Sequence, residues 1–383
     1  MKIKTLLFIL FLSLIGQTNT YAEIQPEQLP KVIQTGPWKA GHVQGIAVDT
    51  QRKYMYFSFT TMLVKTDLQG NVVGSVTGLL GHLGCLDFND ADGRVYGSLE
   101  YKNDKIGKGI LKMENSDRQL DNAFYIAIFD VSKITRMNMD AEKDGIMTSV
   151  YLPTVLDDYL AKVSTSKGNV EHRFGCSGID GVGFGPKFGK TDGRYYLTVA
   201  YGIYSDLNRD DNDYQVLLQY DTRKWKKYEK ALSQGNMHKN GPKKPDCRYF
   251  AYTGNTTYGI QNLEYDATSN TWFAVVYNGK KPQYPNYSIF ALDGTVKPRK
   301  QTLKGIDYYK KGYVVPLKNE GKKDPETGIC GWMFDGGQTG FCSLGNGYFY
   351  ISHNSGSKKV GQSSKVVLYR FTGNADKPFE EVK

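Results

Sequence analysis

The sequence has little of what staples or metallates a small fold. Its five cysteines and five histidines show no Cys-x-x-Cys and no His-x-x-x-His spacing, so zinc is not indicated. Five cysteines cannot all pair. Cys85, Cys176 and Cys342 lie in or beside Gly-rich, strand-like runs and read as small buried hydrophobes, as distinct from Cys247 and Cys330. No essential disulfide is expected. Beyond residue 16 no apolar run is long enough to cross a bilayer, so no membrane span is expected. Helical periodicity is nearly absent, with one short amphipathic stretch at 154–163, and a helical bundle is excluded.

What is abundant points elsewhere. The 383 residues include 42 glycines and 28 tyrosines, a mixture that suits short strands joined by tight turns. Charged residues at 23% and hydrophobic residues at 40% exclude a disordered chain. Met1 to Lys4 is a basic start, 5–16 is a short apolar run, and Thr20-Tyr21-Ala22 is small at both key positions of a signal cleavage site. Residues 1–22 are therefore expected to be a cleaved leader, giving an exported, periplasmic or secreted protein with one domain over 23–383. Loss of Lys2 and Lys4 leaves a formal charge of +8 from the initial +10. In an exported chain this favours an acidic polysaccharide over nucleic acid as partner. A monomer is expected.

Self-similarity organises the chain. His42-Val-Gln-Gly-Ile-Ala-Val-Asp49 precedes a turn and Tyr54-Met-Tyr-Phe-Ser-Phe59. His82-Leu-Gly-Cys-Leu-Asp-Phe-Asn89 precedes Val95-Tyr-Gly-Ser-Leu-Glu-Tyr101. Gly178-Ile-Asp-Gly-Val-Gly-Phe-Gly185 precedes Tyr195-Tyr-Leu-Thr-Val-Ala-Tyr201, and Gly259-Ile-Gln-Asn-Leu-Glu-Tyr-Asp266 precedes Trp272-Phe-Ala-Val-Val-Tyr277. A weaker copy spans 340–353. Each unit is a hairpin of a small-residue strand and an aromatic, β-branched strand, with third strands at 124–131, 214–220, 287–292 and 365–371. The fold class is all-β, a β-propeller. Five hairpins are clear, 230–256 and 305–335 are unassigned, and the length accommodates seven blades of about 50 residues. Residues 31–35 can close the ring against the last blade.

In antiparallel hairpins the starts of first strands and the ends of second strands meet at one channel mouth. That mouth collects His42, Gln44, His82, Asp180 and Gln261 from strand starts and Glu100, Tyr101, Tyr201, Tyr204, Tyr277 and His353 from strand ends. His172 and Arg173 join from the loop before the third unit. Only His238 of the five histidines falls elsewhere. Each alone reads equally well as a strand-closing residue. Gln44, Gly84, Asp180 and Gln261 share one repeat position, which could hold sugar hydroxyls or a cation, so Asp180 is the candidate metal ligand and calcium the candidate ion. Asp206, Asn208 and Asp210 imitate a calcium loop, but its glycine and its late glutamate are missing, and a solvated acidic loop is expected there.

The runs Gly41-His-Val-Gln-Gly-Ile-Ala-Val-Asp49, Gly81-His-Leu-Gly-Cys85 and Glu171-His-Arg-Phe-Gly-Cys-Ser-Gly-Ile-Asp-Gly181 resemble secreted bacterial propellers that remove L-rhamnose α-1,4-linked to D-glucuronic acid from arabinogalactan. The resemblance spans nearly the whole mature chain. It implies seven blades and either a rhamnosyl-glucuronate lyase or an α-L-rhamnosidase. Hydrolysis usually needs two carboxyl groups, and the mouth offers only Glu100 and Asp180, on separate blades. Elimination needs a base, an acid and a partner for the uronate carboxylate, and the mouth is rich in His, Tyr and Arg. The family's rhamnosidase reading is tied to a histidine on the opposite face, whose turns here carry none. The lyase reading is therefore preferred, with His42, His82 and Tyr101 as the base and acid set, Arg173 on the carboxylate, and His172, Gln44, Gln261 and His353 as substrate-binding residues. A rhamnosidase, or a propeller that binds acidic glycans without turnover, stands as the alternative.

Overall fold

Small residues let the first strand of each hairpin crowd its neighbours, while the aromatic second strand fills the space between sheets. The computed structural model describes residues 25–383; the expected leader and its cleavage point lie outside them. Five antiparallel blades begin with the inner strands Val43–Val48, His82–Asn89, Cys176–Gly185, Thr256–Asp266 and Phe341–Gly345. Each inner strand touches the next, and the fifth touches the first, so the ring closes at five. The expected third strands are present at Ala123–Phe129, Tyr214–Tyr220, Ile289–Asp293 and Gly361–Phe371.

Seven blades do not form. The unassigned segments carry strands that extend existing sheets: Lys230–Ala231 edges the second blade, and Cys247–Tyr252 is the fourth strand of the third. Lys311–Val314 then runs parallel to Cys247–Tyr252 and pairs with Arg299–Thr302. A segment that finds an open edge beside it satisfies its backbone there and has no need to start a new sheet.

Closure comes from the N-terminal side, as the sequence suggests. Val32–Trp38 pairs antiparallel with Gly361–Phe371, with Val32 opposite Val367 and Ile33 opposite Val366. Two helices decorate the ring. Pro153–Leu160 (α2) matches the amphipathic stretch and packs Val155 and Tyr159 between the second and third blades. Lys105–Met113 (α1) was not expected from the sequence, because Gly107 and Gly109 read as loop. Asp104 caps it by accepting from the amides of Ile106 and Gly107. A Cβ on Gly107 would sit 1.7 Å from the Lys102 carbonyl oxygen, so the helix can approach the second blade only with glycine there. Among the described residues no helix is long and apolar enough to cross a membrane, and all five cysteines are unpaired.

Ile33 is 1% exposed within the closing strand. Ile33→Ala should lower unfolding free energy by about 2–5 kcal/mol, read by denaturant titration. A loss no greater than that of an exposed-site control such as Val32→Ala would mean the N-terminal strand does not close the ring.

Candidate functional site

Four of the inner strands carry a β-bulge at the same height. Register breaks between Val43 and Gly45, Leu83 and Leu86, Ile179 and Val182, and Ile260 and Asn262 leave Gln44, Gly84–Cys85, Asp180–Gly181 and Gln261 unpaired by the ladder. A bulge re-aims the residue it contains, and here it turns Gln44, Asp180 and Gln261 into one mouth of the channel. The repeat position seen in the sequence is therefore a structural device.

His82 sits at the centre. Its Nδ1 lies 3.8 Å from both Glu100 Oε1 and Asp180 Oδ1, is buried, and makes no hydrogen bond. Burial, then the Lys102 charge and the nearby His42, push its pKa down to about 3, so the ring is neutral. Glu100 is 4% exposed and firmly held: Lys102 Nζ lies 2.5 Å from Oε1, and the Ile179 amide donates to Oε2 at 3.0 Å. Lys102 also donates to the Ser177 carbonyl at 2.9 Å and has Asp104 3.9 Å away. Burial works against the ammonium, but Glu100 and Asp104 outweigh it and keep Lys102 charged. Gly178 is required beside this pair, because a Cβ there would lie 1.9 Å from Glu100 Oε2.

Asp180 accepts from the Gln261 amide at 3.1 Å. Burial and the Glu100 charge raise its pKa to about 8, with Lys102 opposing. At neutral pH it therefore holds a proton. His42 accepts from the Gln44 amide at 3.1 Å and is kept neutral by burial; Gln44 also donates to Thr60 at 3.2 Å. Tyr277, set against Tyr258, and Tyr204, beside Lys102, complete the wall. His172 packs between Tyr159 and Tyr204 at ring separations of 4.8 and 4.9 Å, with its Nδ1 2.5 Å from the Tyr159 carbonyl oxygen.

The structure thus brings together His42, His82, Gln44, Asp180 and Gln261, with His172 at the rim. It does not bring in three others. Tyr101 follows Glu100 on the same strand and so points to the opposite face of the sheet, where it is 2% exposed and its hydroxyl donates to Gln234 at 3.0 Å. Arg173 is taken by the buried carboxylate of Asp158 at 2.6 Å, which also accepts from Tyr201 and Arg248. His353 shares the end of the ring, since the adjoining Asn354 accepts from the Val43 amide, but its ring bonds Tyr369 and packs beside Gly336. Sequence reading missed Lys102, which carries no motif. It also treated Glu100 and Asp180 as separate, although both flank His82.

Among the described residues no group of three or more His, Cys, Asp or Glu side chains is arranged to hold a metal ion, at Asp180 or elsewhere. The acidic run at 206–213 divides: Asp206 and Asn208 are exposed and Asp210 is partly so, as a solvated loop requires, while 211–213 are buried. Lys167 pairs with Asp210, Arg209 with the buried Asp211, and Lys281 with the buried Asp213.

No family model and no curated protein matches the chain. Among solved structures it is similar to the Trichoderma reesei carbohydrate-active enzyme of family AA12 in its calcium structure, at 12% identity over 84% of this chain and 80% of that one, TM-score 0.36. It is similar to the soluble aldose sugar dehydrogenase of Escherichia coli at 10% identity over 88% and 98%, TM-score 0.35. The pyranose dehydrogenase PQQ domain of Coprinopsis cinerea matches at 10% identity over 84% and 81%, TM-score 0.33. At these scores none of them bears on the chemistry of the mouth.

The raised pKa of Asp180 has a stability consequence with a definite sign. Between 3.8, its ordinary value, and about 8 the folded state holds a proton that the unfolded state has released. This contribution is fully present below that window and is lost as pH rises through it. His82 acts in the opposite sense between about 3 and 6.5, where its neutral folded form is penalised as pH falls. Denaturant titrations of wild type and Asp180→Asn should therefore show wild type losing stability relative to the variant from pH 4 to 8. Parallel curves would refute a proton on Asp180.

Proposed function

We propose that the protein is an exported polysaccharide lyase that removes terminal L-rhamnose from D-glucuronic acid by β-elimination, acting on acidic plant glycans of the arabinogalactan type. The observation that carries this reading is a neutral imidazole held between a locked carboxylate and a protonated one, beside a buried ammonium. His82 Nδ1 faces the carboxyls, and among the described residues no hydrogen bond engages Nε2. With Glu100 orienting the Nδ1 proton, Nε2 is the base. The 3.8 Å gap is long for a hydrogen bond, and such contacts commonly tighten when substrate binds.

The steps balance within this set and solvent. His82 Nε2 takes the C5 proton, the C5–H electron pair forms the C4–C5 double bond, and the C4–O bond breaks. The departing rhamnose oxygen receives the Asp180 proton, giving free rhamnose and a 4,5-unsaturated uronate. The imidazolium then releases its Nε2 proton to solvent and Asp180 takes a proton back from solvent, which restores the starting Nδ1–H tautomer and the acid. In a glucopyranuronate the C5 hydrogen and the C4 oxygen lie on one face of the ring, so a one-sided acid and base set suffices. Lys102 and Glu100 cancel in charge and Asp180 is protonated, so an incoming uronate meets no net negative charge, and the Lys102 field favours the developing enolate. Gln44, Gln261, His42 and Tyr277 are the groups for substrate hydroxyls.

Hydrolysis of the same bond stands second, because Glu100 and Asp180 do lie together at His82. Against it, both Glu100 oxygens are already held, by Lys102 and the Ile179 amide, which leaves no free nucleophile.

Incubation with a rhamnosyl-glucuronide, following rhamnose and ultraviolet absorbance together, tests the reading. His82→Ala should lose on the order of 10²–10⁴ in turnover with the fold intact. Tyr101→Phe should keep turnover within a few-fold and cost about 1 kcal/mol in stability. Because Asp180 must be protonated, kcat/KM should fall above about pH 8. Rhamnose without an unsaturated uronate would replace elimination by hydrolysis. Neither product from folded protein would leave a glycan-binding propeller.

A further inference from the structure

A large cavity among the described residues lies away from the histidine mouth. It opens at the other end of the channel, has a volume of about 950 Å³, and is floored by Asp87 and Glu264 with Phe88, Tyr195 and Tyr265 along its walls. The two mouths do not communicate along the axis. Asn262 spans it, donating to the carbonyls of Gln44 at 3.2 Å and Gln338 at 3.0 Å, and the Cys85 thiol closes on the Val182 carbonyl and the Asn262 side chain. Nothing in the elimination chemistry uses this second mouth.

We propose that the second mouth is a binding site for an uncharged, hydroxyl-rich sugar unit. The floor carboxyls are fixed by backbone and keep acceptor capacity. Asp87 accepts from the amides of Phe88 at 2.7 Å and Phe184 at 2.5 Å; Glu264 accepts from the Ser343 amide at 2.8 Å through Oε1, while Oε2 takes no protein donor. A carboxylate oxygen has more than one lone pair, so both side chains can still receive hydroxyl donors. Burial pushes Asp87 up to about 7 and Glu264 well above the usual range, with Asp90 adding to the first and Asp87 to the second. At neutral pH the floor therefore offers a proton donor as well as acceptors, which matches a hydroxyl that both gives and takes a hydrogen bond.

Charge of neither sign prevails here. Acids act on the two floor carboxyls, Asp90 on Asp87 and Asp87, Asp266 and Asp90 on Glu264. The lining also carries Arg52, Arg94, Arg194, Arg223 and Lys226, of which Arg94 is held by Asp92 and Glu229 and Arg223 by Asp221. Tyr195 is 43% exposed and meets Tyr265 edge-on at 5.8 Å, which leaves an aromatic face in the wall for the C–H face of a pyranose. The volume falls within the range of small-ligand clefts, about 300–1,000 Å³. The histidine mouth pairs a lysine with its carboxylate; this mouth has carboxyls alone at its floor. The inference is independent of the elimination reading and survives its failure.

Calorimetric titration of the full chain with D-galactose, L-arabinose, L-rhamnose, D-glucuronate and D-glucosamine tests it. At least one neutral sugar should bind saturably, with a Kd on the order of 1 mM, as for a monosaccharide with few contacts. Ala267→Trp fills the cavity from its exposed rim, and should weaken that binding at least about tenfold, a change of about 1.4 kcal/mol. Tyr195→Ala, also at an exposed position, should weaken it in the same direction. His82→Ala should leave it unchanged, and glucuronate should not bind the His82→Ala protein. The proposal is overturned if no neutral sugar binds folded wild type, if binding survives both cavity variants, if it is lost in His82→Ala, or if glucosamine alone binds.

Discussion

Glu100 lies buried where the second blade meets the third, and its carboxylate is held by Lys102, just past the end of its own strand, and by the Ile179 amide from the next blade. Most of the mouth follows from that placement. A charge out of water is tolerable only when paired and hydrogen-bonded, and removing one partner of such a pair costs about 3–5 kcal/mol. Gly178 has to be glycine because the carboxylate occupies the space of its Cβ, and Gly107 lets α1 come against the Lys102 backbone. The same pair governs protonation nearby. Lys102 adds to burial in keeping His82 neutral, and Glu100 adds to burial in keeping the proton on Asp180. One ion pair thus ties two blades together and sets the charge states of the groups around it.

The hairpin repeat was legible in the sequence because hairpins are local. Small first strands, turns and aromatic second strands recur at fixed spacing, and the closing strand at Val32–Trp38 follows from the need to cover an open edge. Blade count was not legible, because outer strands are long-range choices. Cys247–Tyr252 and Lys311–Val314 have the composition of strands, and only the position of the third sheet decides that they extend it. The α1 helix was hidden by glycines whose reason, close approach to Lys102, exists only in three dimensions.

Within the site the pattern was similar. His42, His82, Gln44, Asp180 and Gln261 were readable from repeat phase, since each blade places equivalent positions at the same height. Tyr101 was misassigned because phase gives the end of a strand but not the face; the pleat sends Glu100 to the channel and Tyr101 to the core, where Gln234 holds it. Arg173 looked like a free fork for a carboxylate, yet Asp158, 15 residues earlier in α2, already supplies one. Lys102 had no signal at all. A lysine after a strand is ordinarily solvated, and its importance arises from what buries it.

The five-stranded ring has two ends, and the direction of its strands gives them opposite characters. At the strand starts, bulges turn polar residues inward and the second strands deliver Glu100 and Lys102, so positive and negative charge cancel. At the strand ends there are no such bulges in the first four blades, and Asp87 and Glu264 reach the axis with backbone amides as their only donors. Asn262 and Cys85 lie in the channel between them, hydrogen-bonded to each other and to the Gln44 carbonyl. A ring with its two mouths so separated can hold a buried lysine–carboxylate pair at one end and backbone-held carboxyls under a wide cavity at the other. Neither need compromise the other, because what differs between them is carried by side chains at the rims and not by the strands that form the ring.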